Sequence, residues 1–258
     1  YWAVMPEKIK LGSETVAVAQ AVDAATHPDY RELGIYKALV RNVLSDVQNR
    51  YRFIFSFPKQ IPYKSHLRHG WKGFRIPEFL EFIDYDRALR NFSSNNFVVW
   101  SGKMALKAFQ AAKNFFPKTV ANSSGEIVEI HNVNRFPDEI DGLWKEIRLD
   151  YEICLERTVS FLNWRFSRYF GDYTIFIARS TQNKNILGYL VLKKMGILNI
   201  GNILDIVDLQ VLPKENKCLL TLIDTAITVA KNEKLDLIRC WVPPWHRYAT
   251  FLSKRGFM

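Results

Sequence analysis

The sequence predicts an α/β (α+β) protein of two domains, each a mixed, mostly antiparallel sheet flanked by helices. Three observations carry this expectation. Residues 13–58 read as strand, helix and strand, a unit whose parallel crossover is right-handed. Residues 126–258 read as strand, two helices, a strand pair, a strand, a helix, a strand and a closing helix. Between the halves, Pro117 to Gly125 contains Asn122-Ser123-Ser124-Gly125 and has the composition of a linker. The expected domains are therefore 1–118 and 126–258.

In chain order, residues 1–10 read as the end of a strand that turns around Leu11-Gly12. Ser13 to Thr26 is rich in Val, Ala and Thr, with only Glu14 and Asp23 as charges, which suits a buried strand. Pro28 ends that strand, and Gly34 sits where the next helix makes its first turn. Tyr36, Leu39, Val40, Val43, Leu44 and Val47 then fall on one helical face. Tyr51 to Phe57 is a short strand of aromatic and β-branched residues stopped by Pro58. A helix from about Ile61 to His69 ends at Gly70, a C′ residue, with Trp71 behind it. Glu78–Asp84 is strand-like, and Ser101–Phe116 is a helix with Met104, Ala105, Phe109, Ala112 and Phe116 on one face.

In the second half, Glu126–Val133 is a strand, and Pro137-Asp138-Glu139 opens a helix that runs to Asp150. A second helix spans Glu156–Tyr169. Tyr173–Arg179 and Ile186–Lys194 pair across a polar turn at 180–185. Asn202–Leu212 is a strand, Lys217–Lys231 an amphipathic helix, Leu235–Val242 a buried strand and Trp245–Arg255 a short helix ending in Gly256-Phe257.

The chain has 258 residues, 48% of them hydrophobic and 24% charged, the balance of a globular protein. No apolar run approaches the roughly 20 residues that span a bilayer, so no membrane span is expected. The net charge of +10 suits nucleic acid, an anionic membrane surface or a polyanionic small molecule. Its lysines and arginines are scattered, with no basic stripe and no nucleic-acid reading module, so nucleic acid is not the expected partner. Cys154, Cys218 and Cys240 have no metal-ligand spacing and cannot all pair; a reducing cytoplasm and no metal are expected. The N-terminus, Tyr1-Trp2-Ala3-Val4-Met5-Pro6, has neither an initiating Met nor a signal-peptide layout, so residues before Tyr1 are expected in the full protein. The sequence is compatible with an oligomer.

A strand that feeds a helix through a short loop leaves several N–H groups aimed at one spot, and the helix dipole makes that spot a site for phosphate or pyrophosphate. Here the loop reads Arg31-Glu32-Leu33-Gly34-Ile35-Tyr36, after the lead-in Thr26-His27-Pro28-Asp29-Tyr30. This pattern resembles the signature of the GNAT superfamily of N-acetyltransferases, from which Tyr36 departs because a small residue is usual there. The resemblance implies acetyl-CoA as co-substrate and a splayed pair of central strands. Amides of Arg31, Glu32, Leu33, Gly34, Ile35 and Tyr36 would hold the pyrophosphate. The main chain of Ala24, Ala25 and Thr26 would pair with the pantetheine.

The Gly70-Trp71 ending also resembles the family, which often has a Tyr general acid four residues before such a Gly. Here that position is His66, which is either a proton donor near neutral pH or a partly buried structural residue. Tyr63, one turn earlier, is the second candidate. Asp23, the acid beside Ala24, is either a solvent-facing residue or the base that takes the amine proton. The element order of residues 126–258 resembles the same fold, so the chain resembles a tandem pair whose first member lacks its opening strand and helices. The second member has no glycine across Leu212–Cys218 and has Leu252 in the place of His66, so its coenzyme loop is degenerate. The implied reaction is direct acyl transfer to a small-molecule amine in a ternary complex. The alternatives are a non-catalytic pair that binds CoA or a partner, and an aminoacyl-tRNA-dependent transferase of similar fold.

Overall fold

Two sheets organise the chain. The computed structural model describes residues 1–58, 60–92, 95–115, 126–167, 172–197 and 201–258. The elements begin β1 (Trp2–Leu11), β2 (Glu14–Ala24), α1 (Ile35–Val47), β3 (Ile54–Ser56), α2 (Gln60–Arg68), β4 (Glu78–Phe82), α3 (Tyr85–Phe92) and α4 (Asn96–Phe115). They continue with β5 (Val128–Val133), α5 (Ile140–Ile147), β6 (Ile153–Leu155), α6 (Val159–Phe166), β7 (Tyr173–Ser180) and β8 (Ile186–Ile197). β9 (Gly201–Val211), α7 (Asn216–Asn232), β10 (Leu237–Trp241) and α8 (Arg247–Lys254) complete them.

The first sheet has the order β3-β2-β1-β6 and the second β4-β10-β9-β8-β7-β5. Each has one parallel pair, β2/β3 and β10/β9, and is otherwise antiparallel. Contacts divide the chain into residues 1–74 with 148–157, and residues 75–147 with 158–258. This corrects the boundary expected between 118 and 126. β4 lies in the first half of the sequence, yet it pairs antiparallel with β10, from Leu237↔Phe82 to Trp241↔Glu78. β6 lies in the second half and pairs with β1, from Ile9↔Leu155 to Leu11↔Ile153. The linker expected at Pro117–Gly125 lies outside the described residues, as do the side chains of Phe109, Ala112 and Phe116.

In the first unit, β1 and β2 form a hairpin that turns at Gly12, whose φ of 58° suits glycine. α1 then crosses to β3 as the strand–helix–strand pattern predicts. In the second unit, α7 lays Leu219, Leu222, Ile223 and Ala226, all fully buried, onto Leu190, Leu192, Leu204 and Ile206. Each Leu or Ile so buried contributes about 1.5–3 kcal/mol. Two helices differ from expectation. α4 begins at Asn96 rather than Ser101 because the Asn95 side chain accepts from Phe97 N–H at 2.9 Å. α3 lies between the strand-like Glu78–Asp84 and that helix, and Asp84 accepts from Arg87 N–H at 3.0 Å at its start. The helix expected to run to Asp150 stops at Ile147, and α6 starts at Val159 behind the capping hydroxyl of Thr158. Among the described residues no helix is long and apolar enough to cross a membrane.

Candidate functional site

β2 is regular until Val22 and then breaks its ladder. Trp2 pairs with Ala24 and Ala3 with Val22, so Asp23 is an extra, bulged residue. Its φ of 39° is left-handed, an unusual conformation for a side chain other than glycine, and its carboxyl group is exposed. Beyond the bulge, Ala25 donates to Tyr1 C=O at 3.0 Å and accepts from the Tyr1 amine at 2.8 Å. That corrects one expectation: the main chain of Ala25 is committed to β1's side and does not face a ligand. By the alternation of a strand, Ala24 and Thr26 face the other way, towards β3.

On that side nothing in the sheet continues the ladder. β3 pairs with β2 only from Ala19↔Ile54 to Ala21↔Ser56, whereas β2 runs on to Ala24. The parallel pair therefore splays at its C-terminal end, beside the loop that leads to α1. Pro28–Tyr30 forms one 3-10 turn, with His27 Nδ1 accepting from Asp29 N–H at 3.4 Å. Arg31 is exposed, and its Nε approaches Thr26 C=O at 3.4 Å. Glu32 and Gly34 both have positive φ, 67° and 76°. Gly34 is the N-cap of α1, with no side-chain capping bond, and a Cβ there would meet nothing within 4 Å. Leu33 is 69% exposed. The first amides of α1, including those of Ile35 and Tyr36, lack intrahelical partners and open onto solvent at this point.

Tyr36 does not obstruct that opening. Its ring turns back towards α2, where its hydroxyl lies 3.4 Å from His66 Nδ1. Burial pushes its pKa up, partly offset by a hydrogen bond to the Ser65 side chain. His66 is only 7% exposed and sits among rings: Trp71 at 4.5 Å between centroids, Trp2 at 6.2 Å. The side chain is thus held as a partly structural residue, with Tyr36 between it and the loop. Tyr63 packs its ring against the backbone of Gly73, where an added Cβ would come within 2.7 Å of it. Sequence reasoning missed Trp2 and the bulge; Trp71, already noted behind Gly70, was the available signal for the aromatic enclosure of His66.

The second unit repeats this layout with the opening closed. Val22-Asp23 lies five residues before Pro28, and Val207-Asp208 lies five before Pro213. β9 also bulges, at Val207, because Val191 pairs with Asp208 and Leu192 with Ile206. Its parallel pairing with β10 likewise stops early, at Ile206↔Cys240. However, α7 begins at Asn216, so no loop like 29–34 follows Pro213. Side chains fill the splay instead. Val211 N–H donates to Tyr248 Oη at 2.9 Å, and the Arg247 guanidinium donates to Val211 C=O at 2.6 Å and Leu212 C=O at 3.2 Å. Leu252 is fully buried in the core. Among the described residues no group of His, Cys, Asp and Glu could hold a metal ion.

Two mostly antiparallel sheets flanked by helices, with a splayed parallel pair, make this the fold of GNAT-type N-acyltransferases. No family model and no curated protein matches the sequence. Solved structures do match. Saccharomyces cerevisiae N-myristoyltransferase with bound myristoyl-CoA is 12% identical, with TM-score 0.61 over 99% of this chain and 60% of its own. A GCN5-related N-acetyltransferase from Anabaena variabilis is 14% identical, with TM-score 0.59 over 100% of this chain and 56% of its own. A conserved protein of unknown function and probable N-acyltransferase from Enterococcus faecalis is 14% identical, with TM-score 0.56 over 93% of this chain and 50% of its own. The chain thus spans half to three fifths of these proteins, and at such identities the likeness shows the fold.

Proposed function

We propose that the chain is an acyl-CoA-dependent N-acyltransferase of tandem GNAT architecture, transferring an acetyl group from acetyl-CoA directly to a small-molecule amine. The observation that carries the reading is the open edge of β2 beyond Ala21, beside a left-handed Gly34 at the start of α1. Ala24 and Thr26 would pair with the pantetheine. The amides from Arg31 to Tyr36 would hold the pyrophosphate, with Arg31, Glu32 and Leu33 supplying its outer wall. The second unit, whose own splay is filled by Arg247 and Tyr248, binds no coenzyme in this reading.

An alkylammonium with a pKa near ~10 must lose its proton before it attacks. Asp23, exposed on the bulge, is the base that takes it, directly or through one water. The free amine then attacks the thioester carbonyl, the C–S bond breaks and the CoA thiolate leaves. The acylated nitrogen gives up its second proton to water and becomes the neutral amide. A proton from Tyr63 or from the Tyr36–His66 pair neutralises the thiolate. Most of the acceleration would come from holding amine and thioester in line.

Calorimetric titration with acetyl-CoA, followed by thiol release with a panel of small amines, tests the reading. Myristoyl-CoA is a second donor arm, since one solved structure of this fold holds it. Binding of either thioester with thiol release supports acyl transfer, and acetyl-CoA giving the faster release supports the acetyl assignment. No heat with any acyl-CoA would remove the proposal.

A further inference from the structure

α4 has two apolar faces, and only one of them is covered. On the covered face Val99 is buried, and a Cβ on Gly102 would meet the Leu89 side chain of α3 at 3.4 Å. On the other face Phe97, Trp100, Met104 and Ala108, spaced three and four residues apart, form one exposed stripe. Phe97 is 72% exposed and Trp100 59%, with their rings 6.3 Å apart, and Val98 and Met104 are each 50% exposed. A helix that is apolar all round belongs in a core. Where such a helix turns one face outward, the contiguous apolar patch marks a surface that binds another surface.

The charge beside the stripe says which surface. From Asn96 to Phe115 the sequence has Lys103, Lys107 and Lys113 and no Asp or Glu. Asn96, Lys103 and Lys107 fall on a second line of the helix, next to the stripe. Arg90 of α3 donates to Asn96 Oδ1 at 3.0 Å and so joins that line. One carboxylate, Asp86, bonds to Lys103. That bond above all holds the Asp86 pKa down, and Arg90 and Lys107 stand close enough to add to it. Three cations around one carboxylate leave this border positive. A second copy of the chain would bring the same cations to meet themselves, and each copy carries a net charge of +10. An anionic lipid surface matches both lines: aromatic side chains enter the acyl-chain boundary while long cationic ones reach the phosphates. We propose that α4 lies in the plane of an anionic bilayer surface, with Phe97, Trp100 and Met104 inserted and Arg90, Lys103 and Lys107 against head-group phosphates. The contact is peripheral and spans nothing. It draws nothing from the acyl-CoA reading, and its test involves no thioester.

The experiment sediments the full chain with large unilamellar vesicles, either phosphatidylcholine alone or phosphatidylcholine with about 30% phosphatidylglycerol. The mixed vesicles should bind at least about tenfold more tightly than the neutral ones, given three cations at the surface. Raising the salt from about 0.1 M to about 0.5 M should erase most of that preference. Phe97→Ser and Trp100→Ser should each weaken binding to the mixed vesicles about tenfold. Lys107→Glu should weaken binding to the mixed vesicles and leave binding to the neutral ones unchanged. Hydrogen–deuterium exchange of the unaltered chain should slow over residues 96–108 when mixed vesicles are added, which decides the matter even if a variant fails to fold. Equal binding to both vesicles, binding that Phe97→Ser and Trp100→Ser leave intact, or unchanged exchange over 96–108 overturns the proposal. Self-association that the two aromatic variants abolish, with no vesicle binding, also overturns it and gives the stripe to a second copy of the chain.

Discussion

The Tyr36 hydroxyl lies 3.4 Å from His66 Nδ1 and so ties the start of α1 to α2. Burial is the larger influence on this phenol and raises its pKa, against the smaller opposing effect of Ser65. Because the folded value lies above the unfolded one, the associated stability is complete below about pH 10 and is lost as pH rises through the folded value. Tyr36→Phe should therefore flatten the alkaline end of the stability curve, read from thermal melting between about pH 9 and 11. If the Tyr36–His66 pair delivers the proton to the leaving thiolate, the same variant should lower kcat about tenfold or more and leave KM for acetyl-CoA near its original value.

Gly34 separates a structural from a functional effect at the loop. A Cβ there meets nothing within 4 Å, so Gly34→Ala introduces no clash. Its φ of 76° still disfavours any L side chain, by about 1–2 kcal/mol. Gly34→Ala should thus lower stability by about 1 kcal/mol in urea unfolding. Its effect on acetyl-CoA affinity should be larger than that stability change explains, since the loop amides lose their aim. Pairing it with Arg31→Ala should weaken the coenzyme further; unchanged affinity in the double variant would place the pyrophosphate elsewhere.

What was legible in the sequence was local. The β2–α1–β3 unit followed from a Val/Ala-rich run, a proline, a glycine and one apolar helical face, all within neighbouring residues. β7, β8, β9, α7 and β10 were legible for the same reason. β4 and β6 were not placed correctly because Leu80 and Cys154 find their strand partners, Arg239 and Lys10, far along the chain. Short strands carry no periodic signal that names a distant partner. The bulge at Asp23 was equally invisible, since it is a property of register between two strands. The internal correspondence of Val22-Asp23 and Pro28 with Val207-Asp208 and Pro213 was present in the sequence, and only the matching bulges made it informative.

The placement of β4 has a direct consequence for dissection. A fragment of residues 126–258 lacks β4 and leaves the edge of β10 open, with Leu237 to Trp241 unpaired on that side. A fragment of residues 75–258 keeps β4, α3 and α4. The longer fragment should be soluble and give a cooperative unfolding transition, whereas the shorter should aggregate. Equal solubility and stability of the two, measured by sedimentation and urea titration, would make the pairing of β4 dispensable.

Cysteine chemistry offers an independent check on the core. Burial pushes the Cys218 and Cys240 thiols up to about 12, so neither is a thiolate at neutral pH. Cys154 is half-buried and its thiol is raised too, first by burial. In the native protein at about pH 8, a thiol reagent should modify Cys154 slowly and the other two only on unfolding. The stability linked to Cys218 and Cys240 is full below the ordinary thiol pKa of about 8.5 and is lost as pH rises towards about 12. Cys218→Ala and Cys240→Ala should accordingly reduce the alkaline sensitivity of unfolding while lowering stability at neutral pH through the cavities they leave.

Arg247 and Tyr248 decide whether the second splay is closed by design of the side chains or by backbone. Tyr248 is 3% exposed, and its hydroxyl takes the Val211 N–H that no strand accepts. Tyr248→Phe keeps the ring and removes only that acceptor, leaving a buried N–H unsatisfied at about 1–3 kcal/mol. Arg247→Met removes the donor to the Val211 and Leu212 carbonyls but keeps the apolar stem. If these two side chains are what closes the strand edge, the double variant should lose more stability than Tyr248→Phe alone and should exchange the Val211 amide proton faster with deuterium. It should acquire no acyl-CoA affinity, because α7 starts at Asn216 with no loop of amides before it. Acetyl-CoA binding that appears in the second unit of this variant would show that the plug, and not the missing loop, is what excludes the coenzyme.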